Sequence, residues 1–180
     1  QGFRHYEQSL RVVDRLENNG AGLNLTLEVR DGIVKHSKGQ GPVVPADRSL
    51  LPLTLEGQIV RLADIIAYVN HDIDDALRAR VIATEDIPAS AQKRLGTTFA
   101  KRIDTIVIDA IMESKKVGLE FIVLSPDVYE ELLNLRVFLY ELVYLRDDRQ
   151  GDKQKIRDIL LTNYDRVRKA PGEYIHPFPE

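Results

Sequence analysis

Apolar side chains recur at helical spacing through most of this chain. In "EQSLRVVDRLE" (7–17), Leu10, Val13 and Leu16 fall about one turn apart, and Asn19-Gly20 closes the segment. "LNLTLEVRDGIVKHS" (23–37) sets Leu23, Leu27, Val29, Ile33 and Val34 at mostly helical intervals. Thr26 and Val29 would suit a strand, but the length favours a helix. "KGQGPVVPADRSLLP" (38–52) predicts a Gly/Pro loop. Thr54 is a candidate N-cap for a helix running to about Arg80, with Gly57 weakening its first turn. Residues 84–96 predict a connector, and residues 98–116 a further amphipathic helix. "LEFIVLS" (119–125) suits a short strand or an extended linker. Ser125-Pro126-Asp127 opens another helix, with proline at a tolerated first-turn position. The last helix covers 151–169, and the three prolines of "APGEYIHPFPE" predict an irregular tail. The fold class expected is all-α.

The stretch 54–80 carries the clearest pattern. At about 100° per residue, Leu55, Ile59, Leu62, Ile66, Val69, Ile73 and Leu77 form one stripe. Asp64, Tyr68 and Asp72 line the opposite side at i, i+4 and i+8, with His71 and Asp75 nearby. A solvated acidic face gives this pattern most often. Two features favour a functional face instead. Val60, Ala63, Ile65 and Ala67 flank the line with small or apolar side chains. Asp64, Asp72, Asp74 and Asp75 also crowd together with few cations among them, and a divalent metal would offset their repulsion.

Composition narrows the classes. A chain of 180 residues is long enough for a real core, and a formal charge of −3 supplies no overall field for nucleic acid or an anionic membrane. There is no cysteine, which excludes disulfides and thiolate metal sites and fits a reducing, cytoplasmic setting. No apolar run approaches the roughly 20 residues that span a bilayer. The first residue, Gln1, runs almost directly into an amphipathic segment, so the chain is expected to be the C-terminal piece of a longer protein.

Three segments in order, "FRHYEQSLRVVDRLE" (3–17), "GLNLTLEVRDGIVKHS" (22–37) and "ADIIAYVNHDIDDA" (63–76), resemble segments of the deoxyguanosinetriphosphate triphosphohydrolase-like proteins, which are HD-domain phosphohydrolases. The resemblance covers residues 1–80, and the later helices match in general character only. It implies an HD-domain-like helical bundle, present here as its C-terminal part. Residues 1–83 would complete the catalytic domain, and 84–180 would form a helical region packed on it. The implied reaction converts a deoxynucleoside triphosphate and water to deoxynucleoside and triphosphate. A divalent metal, Mg or Mn, would be held by a histidine, an adjacent His-Asp pair and a distant aspartate.

Residue by residue, the resemblance makes Asp64 that distant metal ligand. Tyr68 would pack on the sugar, and Asp72 would bind its 3′-hydroxyl. His5 resembles a phosphate-contacting histidine, although Tyr6 stands where the family often has asparagine. Arg30, Lys35 and His36 are further candidates for phosphate or an effector nucleotide, against the plainer reading of a solvated face. His71-Asp72 spells the motif without being it, since helix neighbours point about 100° apart, and His71 reads as a surface residue. The upstream ligands and the catalytic His/Glu segment have no counterpart, and His5, His36, His71 and His176 do not replace them. The chain alone is therefore expected to hold metal weakly and to be inactive. Homo-oligomer formation is expected; residues 128–145, apolar on more than one face, suit either that association or burial within the monomer. The alternatives are another HD-type nucleotide phosphohydrolase, or a non-catalytic helical regulatory or assembly module.

Overall fold

The computed structural model describes residues 3–37, 44–45, 47–145 and 150–174, and every regular element among them is helical. The helices are α1 (His5–Arg11), α2 (Leu27–Lys35), α3 (Leu55–Arg78), α4 (Ala89–Leu95), α5 (Phe99–Lys116), α6 (Pro126–Leu139), α7 (Gln150–Lys169) and α8 (Pro171–Tyr174). Two wide π-type turns extend α1 and α6, at Val12–Leu16 and Tyr140–Tyr144. The chain forms two compact units, Gln1–Val143 and Tyr144–Glu180.

Local chemistry sets the helix starts. The hydroxyls of Thr26, Thr54 and Thr98 accept from the backbone N–H groups of Val29, Gly57 and Lys101. Thr26 thus begins α2 four residues later than the apolar spacing from Leu23 predicts. Gly57 is more than a weak helix former. A β-carbon there would lie 2.6 Å from Pro52 Cβ and 3.4 Å from the Gly32 Cα, so its absence lets α2 and α3 cross closely.

In the first unit α3 is the central element, packing against α2, α5 and α6. Ile65, Val69 and Ile73 are fully buried, together with Ile106, Leu132, Leu135 and Leu139. This single core draws on residues either side of position 83. Contacts on several sides turn the buried arc of α3 away from the expected stripe: Ile65 is 0% exposed, whereas Ile59 is 52% exposed. The interior also holds a polar pair. Arg102 (2% exposed) donates through Nε to Asn70 Oδ1 (0% exposed) at 2.8 Å, and Asn70 Nδ2 donates to the Ile66 carbonyl at 2.8 Å.

Residues 84–96, expected to be a connector, instead contain a 3-10 turn (Thr84–Asp86) and α4, whose Ala91 and Leu95 are buried against α5 and α6. In the stretch 119–125, residues 119–121 turn or bend and residues 122–125 form a linker without regular structure. Its Ile122 N–H donates to Gln58 Oε1 at 3.1 Å, and its Val123 N–H to Ser114 Oγ at 3.0 Å. In the predicted loop, residues 38–43 and 46 lie outside the described set, and Arg48–Leu50 forms a 3-10 turn. The tail begins with α8 rather than irregular chain, and residues 175–180, including His176, lie outside the described set. The second unit contains α7 and α8; between them, the Ala170 N–H donates to the Arg166 carbonyl at 3.1 Å and closes α7.

Candidate functional site

Helix α3 carries Asp64, Tyr68 and Asp72 as one ascending series. Asp64 is exposed, whereas Tyr68 and Asp72 are half-buried. The side chain of Tyr68 leans toward α6, where Arg136 Nε donates to its Oη at 2.7 Å. Arg136 escaped the sequence reading because 68 residues separate it from Tyr68, and nothing in local spacing links them.

The other two acidic residues differ: Asp75 is exposed, whereas Asp74 is half-buried. Asp74 pairs with Arg78 one turn on, at 2.8 Å, and its charge opposes the downward shift that burial imposes on Arg102. His71 is exposed, with its ring edge-on to Phe99 at 5.1 Å.

His5 lies on α1, where its ring meets Tyr6 and His36 edge-on at centroid distances of 5.6 Å and 5.3 Å. His36 Nδ1 lies 2.6 Å from the Ile33 carbonyl; that oxygen only accepts, so Nδ1 carries the proton of this bond. The neighbouring cations tie the fold together. Arg30 pairs with Asp14 at 2.7 Å, joining α2 to the turn after α1. Lys35 pairs with Asp31 at 2.9 Å and donates to the Ser49 and Leu51 carbonyls. Arg61, only 6% exposed, donates to the Lys35 carbonyl at 2.7 Å, and burial pulls its pKa down.

Two clefts flank α3. One of about 510 Å³ lies between α2 and the start of α3, lined by Val29, Ile33, His36, Gly57 and Val60. The other, of about 530 Å³, lies between α3 and α5, with Ile59, Ala63, Ile66, Val107 and Ile111 in its walls. Both are mainly apolar.

Among the described residues, no group of three or more His, Asp or Glu side chains converges as a metal site. Asp64 is a single exposed carboxylate, and a divalent ion needs several oxygen or nitrogen ligands acting together. The residues described here do not by themselves fit a metal.

No family model matches the chain. Curated relatives match it closely, and each is named deoxyguanosinetriphosphate triphosphohydrolase-like protein. The protein from Caldanaerobacter subterraneus subsp. tengcongensis is 46% identical over 97% of this chain and 49% of its own length. That from Desulfatibacillum aliphaticivorans is 42% identical, over 95% of this chain and 51% of its own. That from Clostridium perfringens is 41% identical, over 96% and 51%. The chain spans about half the length of these relatives. With this identity along nearly its whole length, the chain is similar to about half of each of these deoxyguanosinetriphosphate triphosphohydrolase-like proteins.

Proposed function

We propose that this chain is the sugar-reading part of a deoxynucleoside triphosphate triphosphohydrolase. The full protein would release triphosphate and a deoxynucleoside. The observation that supports this best is the α3 series: Tyr68 and Asp72 are half-buried one turn apart, with Asp64 one turn before them. The names of relatives up to 46% identical support the coarser reading, a triphosphohydrolase family.

The chemistry of each residue suits its role. The Asp72 carboxylate has acceptor capacity for a sugar 3′-hydroxyl alongside a protein donor. The Tyr68 ring, laid against C2′, would leave no room for a 2′-hydroxyl, so the site would favour deoxyribose. His5 would donate to a phosphate oxygen. Asp64 would supply one ligand of a divalent-ion site, Mg or Mn, completed by residues outside these 180.

The test is triphosphate release from dGTP with added magnesium or manganese. The 180-residue chain alone should release none, and a full-length protein carrying it should be active. Asp64→Ala should abolish activity and metal retention together. Asp72→Ala should raise KM by about 10- to 100-fold, the worth of a hydrogen bond to a charged group, while metal content stays unchanged. Turnover by the isolated chain, or full activity of Asp64→Ala, would place the site elsewhere.

A further inference from the structure

We infer that Arg136 is a positioning residue for Tyr68, setting the tilt of its ring and through it the preference for deoxyribose over ribose. The inference rests on the sugar-reading role proposed for Tyr68. Arg136 sits on α6 among Leu132, Leu135 and Leu139, all fully buried, so the core fixes the backbone that carries it. Its Nε reaches across to α3 and donates to the Tyr68 oxygen at 2.7 Å, with both side chains half-buried. A guanidinium donor makes this a charge-assisted bond, shorter and stronger than one between neutral groups. Nε lies in the guanidinium plane next to the aliphatic stem, so the bond fixes the orientation of the arginine as well as the end of the phenol.

A tyrosine tethered at its ring edge by the core and at its hydroxyl by a charge has little freedom to swing. That rigidity matters for a ring whose task is exclusion. A wall that yields by a fraction of an ångström accommodates an extra hydroxyl, whereas a fixed wall rejects it. Arg136 would thus influence which sugar is accepted without touching the sugar.

The experiment is a double-mutant cycle in the full-length protein carrying this chain, made from Arg136→Gln, Tyr68→Phe and their combination. The readouts are kcat/KM for dGTP and for GTP, together with Tm. Each single variant should lower the dGTP-to-GTP preference by about tenfold, as expected for losing one charge-assisted bond, and the double variant should fall no further. Tyr68→Phe deletes the same bond from the other side and keeps the ring, so the outcome does not depend on how well Arg136→Gln folds. Additive losses would overturn the inference, because Arg136 would then act on something other than the phenol. A lowered Tm with unchanged preference would overturn it too, leaving a structural strut. A wild-type protein that fails to hydrolyse dGTP, or a Tyr68→Ala variant with unchanged preference, would instead defeat the proposed function and take this inference with it.

Discussion

Asp127 stands in the first turn of α6, where above all the hydrogen bond from Arg94 holds its carboxyl down to about 2, from an ordinary 3.8. The folded state therefore favours the ionised form. The stability this adds is fully present above the unfolded value and disappears as pH falls through the folded one. Amide protection in the first turn of α6 should decline between about pH 4 and pH 2. Asp127→Asn should remove that dependence, as hydrogen exchange would reveal; an unaltered profile in the variant would refute the assignment. At this scale the sequence showed some residues and hid others. The turn spacing of Asp64, Tyr68 and Asp72 is visible in the letters alone. Nothing in the letters marks Arg61, yet it is buried and donates to the carbonyl of Lys35, 26 positions earlier. Arginines on helices are ordinarily exposed, and only the tertiary arrangement brings that carbonyl within reach.

The element most informative about packing is the α2–α3 crossing. Alanine favours a helix over glycine by about 1 kcal/mol, so Gly57→Ala should stabilise α3 considered alone. The contact at 2.6 Å from Pro52 Cβ reverses that expectation, because Pro52 is buried and its ring is rigid. Net destabilisation of about 1–3 kcal/mol is expected, read from a urea midpoint. A stabilised variant would mean that the helices separate easily. The long helices α3, α5 and α6 were legible because each repeats its apolar positions over several turns. Helix α4 was not. It has seven residues between Pro88 and Gly96, both of which read as breakers, and its stability comes from burying Ala91 and Leu95 against neighbours distant in sequence.

At the scale of the first compact unit, α3 and α5 leave much apolar surface in contact with water. Ile59, Val60, Val107, Ile108, Ile111 and Met112 are all exposed. On α6, Leu132, Leu135 and Leu139 face the core while Val137 is exposed, as are Tyr140 and Leu142 in the π-type turn after it, so only one side of the segment 128–145 is used internally. The isolated chain should therefore bind an apolar dye and gain apparent mass with concentration in light scattering. A monomer that stays clean at high concentration would rule this out. The core itself is built mainly from Leu, Ile and Val, shapes that accept many nearly equivalent packings. Arg102 and Asn70 do not. Slide α5 by one turn along α3 and a guanidinium is left in the interior without its amide, at a cost of several kcal/mol. The pair works as a key in a lock of greasy tumblers: it does little to hold the helices together, and it admits only one alignment of them.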